Sequence, residues 1–328
     1  MSSKHLKSKV SVSIITYNHE KYLRACLESI VTQKCDFDFE IVVGEDCSPD
    51  NTRAVLKEFQ QKYPHVIKPI YQEKNVGHYQ NFIDVIDQCQ GEYIANIDGD
   101  DCMLPGKLQK QVDFLDEHSE CAVVFHNLRF IGALITTEAY NNSLDEKSCI
   151  VDINDFVDKG LAHWGNASKM YRRSSYPPEG TLSALKCIGD QHLHLQNART
   201  GKVAYLAEVL GLYRKHAEGL SQVNKRKDQI TCALHDLVLT YSNAYKYGVK
   251  KEIVDNRLAF IYFDTACQYL QLNDYKKFKF YIEKSYENKI YFNQKHKICF
   301  MLKQLPQILY ILKLTNNIWY KIKRKQTI

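Results

Sequence analysis

Three aspartates and a glycine follow a short apolar stretch in the first third of the chain. The stretch, residues 92–97, has the length of one strand and leads directly into Asp98, Gly99, Asp100 and Asp101. An apolar run that ends abruptly in carboxylates is typical of a buried parallel strand whose carboxyl end opens into a binding crevice. Crowded like charges raise one another's pKa unless a cation lies among them, and oxygen ligands favour a hard divalent ion such as Mg²⁺ or Mn²⁺. Taken alone, the same residues are also typical of a solvated turn.

Alternating strand and helix patterns surround this segment. Runs rich in β-branched residues predict strands, and apolar residues at a spacing of three or four predict the helices between them. The predicted strands are 10–16, 39–44, 66–71, 92–97 and 121–127, and the predicted helices are 20–33, one ending near 63, 79–89 and 105–118. Regular alternation of this kind predicts an α/β domain with a mostly parallel sheet and helices on both faces.

Polar residues collect where the first, second and fourth predicted strands end, which is where open α/β sheets bind their ligands. The loop after the first strand contains neither Gly-x-Gly-x-x-Gly nor Gly-Lys-Ser/Thr, so neither glycine-rich phosphate motif is present there. The loops instead offer groups that can stack on a base or hydrogen-bond a ribose, while phosphate is left to a metal at the aspartates. These groups are Thr16, Tyr17, Asn18, Glu20, Asp46 and Ser48. The combination suits a nucleoside diphosphate.

Five blocks between residues 9 and 130 resemble glycosyltransferase family 2 in their order and spacing. They are VSIITYN at 12–18, LESIVTQ at 27–33, EIVVGEDCSPDNT at 40–52, NVG at 75–77 and DGDD at 98–101. The resemblance implies the Rossmann-like GT-A nucleotide-diphospho-sugar transferase fold. It also implies metal-bound nucleotide-sugar donors and inversion at the anomeric carbon, and it favours a metal site over a simple turn at 98–101.

The resemblance assigns individual residues to the donor side. The residues expected to line the base and ribose site are Thr16, Tyr17, Asn18, Glu20 and Ser48. Asp46 is expected to hydrogen-bond the uracil edge, Asp98 to contact the ribose or a metal ligand, and Asp100 to hold Mn²⁺ or Mg²⁺ against the diphosphate. Other residues expected near the donor are Asn75, Gly77, Asn81 and Gly99. For Asn81 the alternative is an ordinary polar residue in the first turn of a helix.

The acceptor side and the expected base lie in the second half of this domain. Asp190 matches the position of the family's catalytic aspartate, although Gln191 stands where an aromatic residue is common. The alternative for Asp190 is the N-cap of a helix that runs to Ala198. Trp164 and Asn166 are expected near the acceptor, where Trp164 either stacks on a sugar ring or lies in the core.

Residues 209–216 resemble the Tyr-Arg-x-His segment with which the family closes a flexible loop over the donor. The resemblance implies that His216 completes the metal shell or contacts the diphosphate. Arg214 or Lys215 would then neutralise charge on the donor. A lone histidine without such a motif is more often structural or exposed.

Composition narrows the class of protein. The 328 residues are 45% hydrophobic, enough for one large domain or two. Eleven scattered cysteines without a Cys-x-x-Cys pair predict reduced thiols in the cytoplasm. Neither a signal-peptide pattern nor an apolar run of about 18 residues is present. The net charge of +6, without an aromatic-basic RNA-binding signature, predicts no nucleic-acid partner.

Helical patterns replace the α/β pattern from about residue 224. We therefore predict a catalytic domain at 1–223, with a donor half at about 9–130 and an acceptor half at about 131–223, and a helical region at 224–328. The predicted helices of this region are 228–247, 252–271, 275–287 and 296–325. The last one mixes apolar residues and Trp319 with lysines. It is interpreted either as an interfacial helix on the inner membrane or as a core helix, with Pro306 at its start or at a kink.

Taken together, these features predict an inverting hexosyl- or N-acetylhexosaminyltransferase. It moves a sugar from a UDP-sugar to a hydroxyl of a glycan or lipid-linked acceptor, with Asp190 as general base. Family analogy suggests a bacterial capsule, O-antigen or exopolysaccharide as the product, made on the cytoplasmic side. A sugar-nucleotide pyrophosphorylase would need a glycine-rich phosphate loop, which is absent. The other alternative is an inactive nucleotide-sugar-binding module that recruits a partner through its C-terminal helices, and the presence of Asp98, Asp100 and Asp190 argues against it.

Overall fold

A computed structural model describes residues 8–132, 147–161, 165–178, 181, 185, 190–217, 219, 227–287, 289, 291 and 293–308. Two predicted features, Trp164 and the helix beyond residue 308 with Trp319, lie outside the described residues. The chain divides into two compact units, Met1–Ala184 with Asp190–Asn224, and Leu185–Gly189 with Lys225–Ile328.

The first unit contains one sheet, with nine strands among the described residues. They are β1 (Val10–Thr16), β2 (Phe39–Glu45), β3 (Ile67–Tyr71), β4 (Tyr93–Asp98), β5 (Cys102–Met103), β6 (Cys121–Ile131), β7 (Cys149–Val151), β8 (Met170–Arg172) and β9 (Lys202–Arg214). Their order is β3-β2-β1-β4-β8-β6-β9-β5, and β7 pairs with β9 off this path. β1 is parallel to β2 and β4, and β2 is parallel to β3. The carboxyl ends of these strands therefore meet at one edge of the sheet.

Amphipathic helices cover the sheet of the first unit. They are α1 (Leu23–Val31), α2 (Thr52–Lys62), α3 (Gly77–Gln88), α4 (Lys107–Glu117), α5 (Ile153–Asp158) and α6 (Asp190–Ala198). Val12, Ile14 and Ile41 are fully buried beneath them. A strand of β-branched residues that is buried on both faces suits the centre of a parallel sheet, where helices cover each side. The predicted α/β fold with a mostly parallel sheet is confirmed.

The end of the first unit differs from its prediction. Tyr213 and Arg214, which the family resemblance places on a flexible loop, form the end of β9 and pair with β6. The prediction of a loop is wrong for these two residues, because the ladder between β6 and β9 continues as far as Ile131 and Arg214. Lys215 and His216 of the same motif follow the strand.

The second unit is helical among the described residues. It contains α7 (Lys227–Ser242), α8 (Lys251–Gln271), α9 (Tyr275–Lys284) and α10 (Gln294–Met301). Phe263, Tyr269, Phe278 and Ile282 form its buried core. The long helix predicted from 296 is interrupted, because α10 ends at Met301 and a turn follows. Helical structure begins again at Pro306, where proline is tolerated in a first turn.

Two expectations from composition concern the state of the cysteines and membrane-spanning helices. Nine of the described cysteines are free thiols, but Cys232 is disulfide-bonded, so the expectation of reduced thiols is wrong at this position. Sequence spacing alone does not reveal which cysteines are paired. Across the part of the chain that the structure describes, no helix combines the length and the apolar character needed to cross a membrane.

Candidate active site

The turn at 98–101 lies against the loop that follows β1. The Gly99 amide donates a hydrogen bond to the Ile15 carbonyl at 3.1 Å. A Cβ atom at Gly99 would lie 2.6 Å from Thr16 Oγ1 and 2.9 Å from His19 Nδ1. Glycine is therefore required here because two side chains occupy the space that any other residue would fill. The turn thus brings the loop after β1 next to the aspartates.

Three side chains from separate loops converge at this turn. Ligand atoms of His19, Asp100 and His216 all lie within 4.8 Å of one another. His216 Nε2 lies 2.9 Å from Asp100 Oδ2, and Arg214 Nε donates to the Asp100 carbonyl at 2.9 Å. Two imidazoles and one carboxylate form a donor set that suits a divalent first-row metal ion. The structure brings the expected ligands Asp100 and His216 together and adds His19, which the sequence reasoning missed.

Aromatic contacts hold His216 of this cluster in place. The Tyr22 ring packs on His216 with ring centroids 4.8 Å apart. The Arg214 guanidinium carbon lies 5.0 Å from the centre of the same tyrosine ring, within the range of a cation–π interaction. His216 is buried, although it follows the last strand of the unit. The cluster is therefore built on packed side chains rather than on an open loop.

The turn at 98–101 carries more negative charge than the neighbouring basic side chains neutralise. Desolvation raises the pKa of Asp98 to about 8, and the charges of Asp100 and Asp190 add to this increase. Desolvation also raises the pKa of Asp101 well above its usual range, although the Arg214 amide donates to its carboxylate at 2.7 Å. A bound cation would favour the charged forms of these carboxylates, so the donor set and the local charge fit a metal ion.

The loops after β1 and β2 are tied together by hydrogen bonds. The Asn18 amide donates to Ser48 Oγ at 3.1 Å, and the Glu20 amide donates to Asp50 Oδ2 at 3.1 Å. Tyr17 is 41% exposed, so one face of its ring is free to stack on a base. A cavity of about 350 Å³ is lined here by Asn18, Glu20, Lys21, Tyr22, Pro49 and Asp50. The structure brings the expected residues Thr16, Tyr17, Asn18, Glu20 and Ser48 to one edge of the sheet.

Asp46 connects the end of β2 to the start of α3. Its two carboxylate oxygens accept hydrogen bonds from the amides of Val76 at 2.7 Å and Gly77 at 3.0 Å. Asn75 Oδ1 accepts a second bond from the Gly77 amide at 3.1 Å. Asp46 is buried, so its first role in the fold is to hold the loop before α3. Its contact with a uracil edge stays a prediction.

Asn81 lies in α3 and packs against β2 near the carboxyl end of that strand. Its side-chain Nδ2 donates to the Gly44 carbonyl at 2.9 Å, and the side chain is buried. A Cβ atom at Gly44 would lie 2.3 Å from Asn81 Oδ1, so glycine is needed for this close packing. The contact matches the interpretation of Asn81 as a structural polar residue of a helix, and its place beside the donor stays a prediction.

Asp190 begins α6 and is open to solvent on one side. Desolvation raises its pKa, while the positive charges of Lys169 and His78 act in the opposite direction. Lys169 is fully buried, and its Nζ atom has no hydrogen-bond partner among the described residues. Burial lowers the pKa of Lys169 to about 8, against the effect of the Asp190 charge. The expected base therefore lies close enough to the buried Lys169 and to Asp98 for their charges to interact.

The expected acceptor segment consists of a short turn and a short strand. Residues 166–168 form a 3₁₀ turn, and Met170–Arg172 form β8. Asn166 Oδ1 accepts a hydrogen bond from Asn96 Nδ2 at 3.1 Å. Trp164 lies outside the described residues, so its contact with an acceptor stays a prediction.

The fold and the polar edge of its sheet define a GT-A nucleotide-sugar transferase architecture. The sequence model of the family described as "Glycosyl transferase family 2" matches residues 11–176, about half of the chain. The chain therefore belongs to glycosyltransferase family 2, and the resemblance seen in the sequence is confirmed.

Two relatives show the reach of this similarity. An uncharacterised protein of Mycobacterium tuberculosis is 35% identical over 214 residues, which are 64% of this chain and 60% of the relative. TuaG of Bacillus subtilis, named as a glycosyltransferase of teichuronic acid biosynthesis, is 34% identical over 119 residues, 36% of this chain and 46% of the relative. The matches thus span about half to three fifths of the curated relatives.

A solved structure shares the fold over most of the chain. TarS of Staphylococcus aureus, residues 1–349 in complex with UDP-GlcNAc, superposes with a TM-score of 0.63 and 20% identity. The superposition covers 91% of this chain and 86% of that one. At this identity the likeness shows the fold alone.

Proposed function

We propose that the protein is an inverting glycosyltransferase that moves a sugar from a UDP-sugar to a hydroxyl group of a glycan or lipid-linked acceptor. The observation that carries this proposal is the convergence of His19, Asp100 and His216 beside Asp98, with Asp190 close enough to raise the pKa of Asp98. A single displacement requires a metal centre that binds the donor diphosphate. It also requires a nearby carboxylate that accepts the proton of the acceptor hydroxyl.

The donor half of the site binds the nucleotide and its diphosphate. Tyr17 offers a ring face for the base, and the loops joined by Asn18 and Ser48 present polar groups to the ribose. Asp100 and His216 would hold Mn²⁺ or Mg²⁺, which when bound supplies positive charge for the leaving diphosphate. Arg214, whose Nε donates to the Asp100 carbonyl, keeps this turn in position.

The acceptor half performs the proton transfer. Asp190 accepts the proton of the acceptor hydroxyl while the hydroxyl oxygen attacks the anomeric carbon on the face opposite the nucleotide. The bond between that carbon and the UDP oxygen breaks in the same step, so the configuration inverts and no covalent enzyme intermediate forms. The transition state resembles an oxocarbenium ion, as in glycoside hydrolysis. Lys169 favours the ionised form of Asp190 that the step needs.

The transferred group in this proposal is a hexose or an N-acetylhexosamine, and the product is a bacterial surface polysaccharide assembled on the cytoplasmic side of the membrane. TarS, which shares the fold, was solved with UDP-GlcNAc. TuaG, which is similar over 36% of this chain, is named for teichuronic acid biosynthesis. The ligand of TarS supports a UDP-sugar donor, and the name of TuaG supports a polymer product.

Thermal unfolding with nucleotides tests the donor class. UDP, GDP, dTDP and CMP are compared with and without Mn²⁺, and UDP is expected to stabilise the protein only when Mn²⁺ is present. A ligand at about a hundred times its dissociation constant raises the free energy of unfolding by roughly 2.7 kcal/mol, which is a clear shift in melting temperature. Stabilisation by GDP instead of UDP would indicate that the donor is a GDP-sugar. No shift with any nucleotide would contradict the proposed donor site.

We also propose that the helical unit contacts anionic lipid at the inner membrane surface. Residues 275–308 contain eight lysines and two acidic residues. Exposed apolar side chains occur among them at Ile298, Met301, Leu305 and Ile308. Lysines beside an apolar stripe suit the interface of an anionic bilayer.

Sedimentation with vesicles tests this contact. The protein is expected to sediment with vesicles that contain phosphatidylglycerol and to stay in solution with phosphatidylcholine alone. Met301→Glu with Leu305→Glu is expected to abolish sedimentation. Ile150→Glu, at an exposed apolar position of the catalytic unit, is the matched control and should have no effect. Equal behaviour of all the proteins would contradict a membrane role for the stripe.

A further inference from the structure

We propose that His19 is a third protein ligand of the metal ion, so that the protein binds Mn²⁺ before any nucleotide arrives. The inference rests on the proposed function, because it concerns the same metal centre. The sequence reasoning assigned only Asp100 and His216 to the metal. A carboxylate with one imidazole leaves most of the coordination to the donor diphosphate and water, whereas a second imidazole gives the protein its own three-ligand site.

Contacts from three parts of the fold fix the position of His19. Its backbone amide donates to Thr52 Oγ1 at 2.8 Å, at the start of α2. Its Nδ1 lies 3.2 Å from Thr16 Oγ1, at the end of β1. The missing side chain of Gly99, after β4, leaves the space in which the ring lies. A side chain held by both of its ends against the acidic turn is prepared for a ligand there, since little side-chain entropy remains to be lost.

The distances within the cluster suit coordination of one ion. Two ligands about 2.1 Å from a metal lie at most about 4.2 Å apart, so atoms that all lie within 4.8 Å need only a small side-chain rotation. His216 provides a second observation that points to a ligand. Its Nε2 faces Asp100, while its Nδ1 is buried and has no hydrogen-bond partner within the described ranges. One nitrogen of this ring is therefore free of a competing hydrogen bond.

The donor set also favours one of the two expected metals. Mg²⁺ prefers oxygen ligands and keeps several waters, whereas imidazole nitrogen suits first-row transition-metal ions. A site with His19 and His216 beside one carboxylate therefore favours a transition-metal ion such as Mn²⁺ over Mg²⁺. The alternative is that His19 only bridges Thr16 and the turn, in which case its removal would leave metal affinity unchanged.

The test measures Mn²⁺ binding by nucleotide-free protein from the electron paramagnetic resonance signal of unbound Mn²⁺. Wild type is expected to bind the ion, and His19→Asn to bind it at least about tenfold more weakly. Asparagine keeps a polar group for Thr16 but is a poor ligand. His65→Asn, at an exposed position far along the chain from the site, is the control and should bind like wild type. Equal Mn²⁺ affinity of His19→Asn and wild type, or no binding by nucleotide-free wild type, would overturn the proposal.

Two further measurements separate a lost ligand from a lost fold and from a wrong function. His19→Asp restores a ligand atom, and it is expected to regain Mn²⁺ binding with Mg²⁺ competing more strongly than in wild type. If His19→Asp binds no better than His19→Asn while both melt like wild type without metal, the position is not a ligand and the proposal fails. UDP binding at saturating Mn²⁺ is measured separately. Metal binding without UDP binding would contradict the proposed function and leave the third ligand established.

Discussion

Replacing Asp190 with asparagine is expected to lower the turnover number by about 10²–10⁴-fold, the range in which a general base contributes. The KM for the UDP-sugar should change little, because the metal centre and the base-binding loops do not depend on this side chain. Asparagine is as good an N-cap as aspartate, so α6 should keep its start and the protein its melting temperature. Steady-state rates with a UDP-sugar and an acceptor glycan measure the effect.

The same substitution separates the two interpretations of Asp190. A residue that only caps a helix would leave turnover unchanged when asparagine replaces it, and an inactive module would show no turnover in either protein. Asp158→Asn provides the control, since it removes the same charge from an exposed position of α5. Turnover of Asp158→Asn should equal that of wild type. A comparable loss in both variants would show that general charge, rather than a base, is responsible.

The pH dependence of kcat/KM gives an independent check through Lys169. Its pKa of about 8 keeps it mostly protonated below that pH, where its positive charge lowers the pKa of Asp190. Lys169→Met removes this charge, so the pKa of Asp190 rises and a larger fraction of the base is protonated at low pH. The acidic limb of the profile is therefore expected to move to higher pH, with the largest loss of rate on the acidic side. A uniform loss at every pH would instead indicate a packing defect around the buried site.

The strands that build the donor edge could be predicted from the sequence because each signal is local. Five of the seven residues of Val10–Thr16 are β-branched, and the strand is buried on both faces between two parallel neighbours. Asp98 to Asp101 end an apolar run abruptly, and the turn lies where the sequence places it. Asp100 and His216, expected together from a family resemblance, do lie together.

The missed features depend on contacts between distant parts of the chain. His19 follows a tyrosine and an asparagine with their own expected roles, and only the close approach of the Gly99 turn brings it to the metal centre. β5 has two residues, too few to produce a pattern, and exists because β9 pairs with it. The carboxylate of Asp46 accepts hydrogen bonds from two amides at the start of α3, a contact that no local pattern indicates. In each case tertiary packing determines which residues meet and at what distance. No local pattern in the sequence records such contacts.

Asp100→Ala is expected to abolish the stabilisation by UDP with Mn²⁺ and to lower turnover by about 10²–10³-fold, as when a charge-stabilising group is removed from an active site. The variant should nevertheless fold, because the contact that Arg214 makes with residue 100 uses the backbone carbonyl and persists. Removing one negative charge beside Asp98 also lessens repulsion within the turn, so the metal-free protein should melt no lower than wild type.

Calorimetry of UDP binding and steady-state rates together show whether Asp100→Ala loses turnover because it loses the metal. Asp113→Ala, an exposed aspartate of α4, is the control and should keep both UDP binding and turnover. If Asp100→Ala binds UDP with Mn²⁺ as tightly as wild type, the metal does not lie at this carboxylate. His216→Ala, His19→Asn and Asp100→Ala should weaken Mn²⁺ binding in the absence of nucleotide, since each removes one donor atom from one ion. The losses in a double variant should then fall short of the sum of the single losses, because ligands of a common ion are coupled and distant sites are not.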